Sequence, residues 1–209
     1  MLSRAKYGLL LVVVLLIVTT VDASAQEPPN LWVTGAGVVS IHDPGASDSY
    51  LYPALGGAAP GMVVGIQKSI RPRLRVGFEI GYDGLIEGMQ SGRIASRPFR
   101  TTHRDTTFTE LLAWSEREEA SVTPTFVGGF TVAWRQTVRH YTTSDNEVND
   151  LKVGVAGGVD VTIRVSPRVF VAPTFRLHWI SGGDRPQSIP RRGVGPFVTR
   201  LGVSLGVGL

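Results

Sequence analysis

The stretch RLRVGFEIGYD at residues 73–83 alternates strictly between apolar side chains and small or charged ones. Its apolar side chains are those of Leu74, Val76, Phe78, Ile80 and Tyr82. A period of two residues is typical of a β-strand with two different faces. Soluble strands are most often about 5–6 residues long, whereas a tilted membrane strand needs about 9–11. The segment therefore predicts a strand that crosses a membrane.

The same alternation recurs along the chain, and helical periodicity is nearly absent. Further alternating segments lie at residues 122–134, 153–163, 168–180 and 197–207, and weaker ones at 30–41, 61–70 and 106–115. Tight links at 71–72, 116–120 and 165–167 separate them from longer polar connections at 42–60, 85–105, 136–150 and 182–193. We therefore predict an all-β fold, a single eight-stranded antiparallel up-and-down transmembrane barrel. Short periplasmic turns and four longer extracellular loops complete the predicted layout.

The N-terminus has the order of an export signal. Arg4 and Lys6 precede an uncharged apolar run at residues 8–18, and Ala23-Ser24-Ala25 follows it. The run is shorter than the roughly 20 residues of a membrane-spanning helix, and small residues at alternate positions suit a signal peptidase. We expect a signal peptide at 1–25, cleaved after Ala25, and a barrel domain at 26–209. Export then leads to the outer membrane of a two-membrane bacterium.

Composition excludes several classes of function. The chain has no cysteine and only four histidines, which leaves no thiol chemistry and little material for a metal site. Its net charge of +4 is spread along the chain, which argues against nucleic acid as a partner. We expect His42, His103 and His140 to lie in or beside solvated loops. His178 and Ser181 are three residues apart, so on a strand they face opposite ways. No catalytic, cofactor or metal site is therefore predicted.

The less apolar parity of the strands is predicted to face the lumen of the barrel. Its charged members form a predicted cluster of Arg75, Glu79, Asp160, Arg176 and Arg200. We expect the two carboxylates of this cluster to pair with Arg176 and Arg200, because an unpaired ion in a dry interior is costly. Glycine at many positions of the same parity relieves crowding in a narrow barrel.

Aromatic residues on the apolar parity are predicted to form a girdle at the outer membrane surface. Its predicted members, near the outer ends of four strands, are Tyr82, Trp134, Trp179 and Phe197. In the first strand, Leu31, Val33, Val39 and Ile41 share one parity, but Trp32 and Val38 lie on the other.

The strand at 106–115 is ambiguous, because Glu110 shares its parity with Phe108, Leu112 and Trp114. A carboxylate facing lipid is costly. We therefore expect Glu110 to face the lumen, with Thr107, Thr109, Leu111 and Ala113 facing outward.

Two glycine-rich strand segments, VGFEIGYDG (76–84) and VGVAGGVDV (153–161), add to this layout. With them, the chain after residue 25 resembles the small eight-stranded outer-membrane barrels, a group that includes OmpA-like and OmpX-like barrels and opacity-type adhesins. The resemblance implies contact with outer-membrane lipid and lipopolysaccharide, and handling by the barrel-assembly machinery. It also implies a surface ligand bound through the loops. One departure is the C-terminal Leu209, where such proteins usually carry an aromatic residue.

We therefore expect a non-enzymatic barrel with a structural, envelope or surface-interaction role. One alternative is a narrow pore or carrier for small or apolar solutes. Another is a secreted lipocalin-like binding barrel, which would place the apolar parity inside. An enzyme acting on membrane lipid is the remaining alternative, and no histidine–serine pair at the required spacing supports it.

Overall fold

The computed structural model describes residues 29–44, 57–84, 86–90, 99–116, 121–140, 145–181 and 194–209. These residues form β1 (Leu31–Pro44), β2 (Gly57–Arg71), β3 (Leu74–Asp83), β4 (Ile86–Gln90), β5 (Phe99–Ser115), β6 (Val122–His140), β7 (Asp145–Ser166), β8 (Val169–Ile180) and β9 (Val194–Gly208). Among them there is no helix of the length and apolar character needed to cross a membrane.

The strands close into one antiparallel barrel. Neighbours follow the order β3-β2-β1-β9-β8-β7-β6-β5-β4, and β3 also pairs with β5. Tyr82 of β3 lies opposite Thr106 of β5, and Ile86 of β4 lies opposite His103 of the same strand. Because β3 and β4 occupy one position in the wall, the nine strands make an eight-stranded barrel. The predicted fold class is confirmed.

The outward face of the barrel is apolar. Phe130, Leu151 and Val203 expose 72%, 75% and 56% of their surface, and outward residues of every long strand share this character. Exposure of apolar surface to water costs about 25 cal/mol per Å², so a face of this kind suits lipid. It also contradicts the lipocalin-like alternative, which would turn these residues inward.

Several strands run further than the sequence pattern predicts. β6 and β7 stay paired from Val122 opposite Ile163 to His140 opposite Asp145. The predicted loop at 136–150 is therefore wrong over its described part, and β4 and β5 occupy much of the predicted loop at 85–105. Where both faces of a hairpin meet water, the ladder of backbone hydrogen bonds continues without apolar alternation. The predicted signal peptide at 1–25 lies outside the described residues, as do most of the turn at 116–120 and the loop at 182–193.

The two faces of β5 are the reverse of the prediction. Thr107, Thr109, Leu111 and Ala113 face inward and expose 1–2% of their surface. Glu110 faces outward, and on the same side lie the exposed side chains of Phe108, Leu112 and Trp114. Placing three large apolar side chains in lipid gains more free energy than exposing one carboxylate there costs. The inward positions between 107 and 113 are mostly threonine or alanine, which gain less from lipid contact.

The first strand also resolves into two faces. Trp32 and Val38 point inward and are 6% and 7% exposed, whereas Val39 and Ile41 point outward. Inside the barrel, Trp32 packs on Phe170 of β8, with ring centroids 5.2 Å apart. This aromatic pair and Ala172 fill the end of the barrel beside the short turns.

Glu110 lies among apolar side chains on the outer surface. Phe78 and Phe130 are its partners on the two adjacent strands, and Phe108 and Leu112 lie two residues away on either side. It is four residues from Trp114 and four from Thr106, which lies level with Trp134. This position is midway between the two aromatic ends of the outer face.

We predict that Glu110→Leu stabilises the barrel in a lipid bilayer by about 1–2 kcal/mol, because it removes an acid from the hydrocarbon level. The measurement is denaturant unfolding in lipid vesicles, followed by tryptophan fluorescence. Glu116→Leu, at the exposed turn end of the same strand, is the matched control and should change stability little. Equal effects of the two variants would contradict a lipid-facing position for Glu110.

Candidate functional site

Polar and charged side chains occupy the middle of the lumen. Arg176 of β8 donates to both carboxylate oxygens of Asp160 on the adjacent β7, with Nη2 2.9 Å from Oδ2. The same Nη2 lies 3.5 Å from Oε1 of Glu79, which reaches across the barrel from β3. All three residues are at most 9% exposed. One guanidinium thus binds two carboxylates that approach it from different walls.

A small polar cavity adjoins this group. Its volume is about 30 Å³, which is room for roughly two water molecules. Arg75 of β3 lines it, together with Gln67, Thr34 and Ser204. The described interior here is largely filled by side chains, and this cavity has room for molecules of the size of water only.

Arg200 of β9 makes a second ion pair, one level further toward the long loops. Its Nε and Nη2 donate to the two carboxylate oxygens of Asp83 at 3.1 and 2.8 Å. Its Nη1 donates to Oγ1 of Thr107 at 2.9 Å and lies 3.3 Å from Nε2 of His178. The hydroxyl of Ser40 also donates to Asp83. Arg200 and Asp83 are only 3% and 1% exposed.

A third ion pair lies at the same end of the lumen. Asp105 and Arg135 face each other directly across β5 and β6, and Arg135 donates from Nε and Nη2 to the two carboxylate oxygens at 3.0 and 2.9 Å. Asp105 is fully buried. Beside this pair lie His103, whose Nε2 is 3.1 Å from Asp105 Oδ1, and His42, whose Nδ1 is 3.9 Å from Oδ2.

The structure therefore brings together part of the charge cluster expected from the sequence. Glu79, Asp160 and Arg176 meet as one group, with Arg75 on the wall of the adjoining cavity. The expected pairing of Arg200 with Glu79 or Asp160 is wrong, because Arg200 binds Asp83. Asp83 has the same parity as Glu79 at the end of the alternating stretch, and this was the signal that could have identified it.

The predicted positions of His42 and His103 are also wrong. Both were expected beside solvated loops, but they lie inside the barrel at 1% and 2% exposure. Their segments read as loops because inward positions at this end carry serine, threonine, histidine and aspartate. His140 is the exception: it lies on the outer part of β6, 3.1 Å from Asp145, and its side chain is 38% exposed.

The four aromatic residues of the predicted girdle lie at two places along the strand ladder. Tyr82 and Trp134 are both opposite Thr106, on its two sides, and Trp179 is directly opposite Phe197. Tyr82, Trp134, Trp179 and Phe197 expose 37%, 52%, 44% and 42% of their surfaces. Their assignment to a membrane-interface girdle stays a prediction.

Beyond Trp134 the β6–β7 hairpin is mostly polar, and Val138 and Val148 are its only apolar residues among 135–140 and 145–150. Gln136 Nε2 and Asn149 Nδ2 donate to Oε1 of Glu147 at 2.7 and 2.8 Å. These two hydrogen bonds favour the carboxylate, so they hold the pKa of Glu147 below its usual value. The hairpin therefore extends as an ordered ladder past the aromatic level.

Comparisons with known proteins bear on the fold. The chain is similar to Neisserial surface protein A at 11% identity, covering 86% of this chain and 97% of that one, with a TM-score of 0.55. Ail, the attachment invasion locus protein of Yersinia pestis, solved with the heparin analogue sucrose octasulfate, matches at 10% identity, 86% and 98% coverage and a TM-score of 0.54. A major outer membrane protein of Thermus thermophilus matches at 11% identity, 85% and 99% coverage and a TM-score of 0.54.

No protein-family model matches the sequence, and no curated protein matches it. The solved structures therefore establish a shared fold, that of small outer-membrane barrels, at sequence identities too low to carry a role from one protein to another.

Proposed function

We propose that this chain is a non-enzymatic barrel of the bacterial outer membrane, closed along its lumen, with a structural or surface-interaction role. The observation that carries the proposal is the inverted distribution of polarity. Outward side chains are apolar along the strands, whereas the described interior holds three buried arginines, each paired with one or two carboxylates. A water-soluble barrel needs the reverse arrangement, since burial of apolar surface drives its folding.

The filled lumen favours an anchoring or surface role over a pore or carrier. Arg176 and Arg200 bind Glu79 and Asp83 of β3 across the interior, and Arg135 binds Asp105 on the adjacent strand. The adjoining cavity has room for about two water molecules. A substrate bound inside the barrel would need more space than the described lumen offers, which argues against an enzyme site there.

The ordered β6–β7 hairpin supports a surface role. It stays paired to His140 opposite Asp145, six residues beyond Trp134, and its polar side chains bind one another. In the proposed orientation the hairpin projects beyond the lipopolysaccharide layer, where its ordered strands would form a binding surface for a ligand. Outer-membrane lipid would contact the apolar wall. A cleaved export signal at 1–25 and the barrel-assembly machinery would bring the chain there.

The absence of cysteine allows a direct test of location and orientation. We predict that Asp145→Cys, at the hairpin, reacts with a membrane-impermeant maleimide on intact cells. Arg71→Cys, at the exposed end of β2, should react only once the outer membrane is opened. Both sites are solvent-exposed in the structure, and labelling of the two variants in detergent gives the reference for their intrinsic reactivity.

Each variant is first checked for a folded barrel, which migrates differently on a gel before and after boiling. Labelling of both variants on intact cells would contradict the orientation, and so would labelling of neither. Recovery of the protein in the soluble periplasm, with no shift on boiling, would overturn the membrane location itself.

A further inference from the structure

We propose that His42, His103 and Asp105 form a binding site for one divalent transition-metal ion, of the class that prefers imidazole nitrogen together with carboxylate oxygen. Ligand atoms of these three residues all lie within 4.8 Å of one another. Two histidines and one carboxylate are a recurrent ligand set for such ions, and Zn²⁺ is the first ion to test. The inference depends on the barrel fold alone and does not rest on the proposed function.

The two strands that carry the ligands hold them rigidly. His42 is on β1, whereas His103 and Asp105 are two residues apart on β5 and therefore share its inward face. All three are buried, with exposures of 1%, 2% and 0%. The His42 and His103 rings meet edge to face, with centroids 5.8 Å apart. Small rotations of the two rings would bring their nitrogens to a common ion.

His42 provides the independent indication that a ligand is missing. Neither of its ring nitrogens has a hydrogen-bond partner, although the side chain is fully buried. A buried polar group without a partner costs about 1–3 kcal/mol. Its Nδ1 is 3.9 Å from Asp105, and its Nε2 is 3.7 Å from Asp83. An ion bound at Nδ1 would leave the Nε2 hydrogen directed at Asp83, as in carboxylate–histidine–metal arrangements.

The ring nitrogen of His103 that would not bind the ion already has a contact. Its Nδ1 is 3.1 Å from the hydroxyl of Thr137, and this contact orients the ring. Its Nε2 faces Asp105 Oδ1 at 3.1 Å without the alignment of a hydrogen bond. In the tautomer with the proton on Nδ1, the lone pair of Nε2 faces a lone pair of Asp105 Oδ1, and a cation between the two atoms would remove this repulsion. Asp105 is itself fixed by Arg135, which leaves the outer lone pairs of its oxygens for an ion.

The charge of the surroundings limits the affinity. The aspartates near the site, Asp105 and Asp83, are already paired with Arg135 and Arg200, so a divalent ion adds net positive charge to a buried region. Ions that gain most from imidazole nitrogen are therefore favoured over Ca²⁺ or Mg²⁺, which depend on several carboxylates.

The test uses the full mature chain without an affinity tag, folded in detergent, because a histidine tag would bind the same ions. Zn²⁺ is titrated in competition with a chromogenic chelator. We expect one ion per barrel, and His42→Gln or His103→Gln should weaken binding about 100-fold or more. Thr137→Val, which removes only the orienting contact, should weaken it about 10- to 100-fold. The matched control is His140→Gln, which removes the exposed histidine and should leave binding unchanged.

Every variant is checked for folding by its gel shift on boiling, and the absorption of bound Co²⁺ provides a second measurement of the site. Co²⁺ bound to the unsubstituted chain should show the visible absorption of a nitrogen-ligated site, and added Zn²⁺ should displace it. Retention of the one-to-one binding in the His42→Gln/His103→Gln double variant would overturn the proposal, as would its loss in His140→Gln. Absence of both Zn²⁺ binding and the Co²⁺ spectrum at 100-micromolar metal, roughly the weak end of specific sites, would do the same.

Discussion

Arg200→Leu is expected to lower the free energy of unfolding by about 3–5 kcal/mol, the usual cost of removing one partner of a buried ion pair. The substitution leaves the carboxylate of Asp83 in the lumen without the two guanidinium hydrogen bonds at 3.1 and 2.8 Å. Thr107 and His178 lose contacts with the same guanidinium. Few waters can replace these partners, because Asp83 is 1% exposed.

The measurement is equilibrium unfolding in vesicles, with the native gel shift as a second probe. Arg71→Leu is the matched control: the residue is exposed beyond the end of the lumen, and a change within about 0.5 kcal/mol is expected. Arg200→Lys should fall between Arg200→Leu and the unsubstituted chain, since a lysine cannot reproduce the two-pronged contact.

The double variant Asp83→Leu/Arg200→Leu separates two explanations of the loss. If the cost comes from the orphaned carboxylate, removing both charges should restore at least half of it, because an apolar pair can replace a buried ion pair at little cost. A loss for Arg200→Leu no larger than that for Arg71→Leu would show that the lumen is hydrated at this level, in contradiction to a closed interior.

Gly129→Ala is expected to destabilise the barrel by about 1–3 kcal/mol or more, as overpacking does. Gly129 faces the lumen, and a Cβ built on it would collide with the backbone carbonyl oxygen of Glu110 on β5. That carbonyl belongs to the ladder between β5 and β6, in which Leu111 lies opposite Gly129. The collision can be relieved only by moving one wall of the barrel relative to the next.

Gly128 provides the control one residue away. A Cβ at Gly128 points outward and meets nothing nearer than 3.9 Å. Gly128→Ala should therefore leave stability unchanged or raise it slightly, since alanine costs less backbone entropy than glycine. Unfolding of the two variants under identical conditions gives the difference directly. Equal stability of the two would contradict the close approach of β5 and β6 at Gly129.

The architecture could be predicted from residues whose neighbours in sequence already show the two faces. In β3, Val76 and Phe78 alternate with Gly77 and Glu79, and no tertiary information is needed to separate a lipid face from a lumen face there. The strand ends were less predictable. At 136–150 the chain leaves the apolar layer, so the pattern stops although the pairing continues to His140 and Asp145.

Alternation along the chain is enough to predict strands with two faces, alternating segments long enough to cross a membrane, and a common face for Glu79, Asp160 and Arg176. These properties follow from a period of two residues, which is local. Which opposite charges pair with each other depends on contacts between distant strands. Arg200 binds Asp83, which is 117 residues away in the chain. The two meet because strand register and barrel closure set the height of each side chain along the barrel axis.

The same reason explains the outward position of Glu110 and the inward position of His42 and His103. The polarity of each residue taken alone predicts the opposite location. The face on which a residue lies is set by the whole strand and by its pairing with both neighbouring strands. A strand cannot turn one residue inward without turning its alternate neighbours too. The lumen cluster of two histidines and an aspartate exists because β1 and β5 face each other across a closed barrel, and no local pattern records that distance.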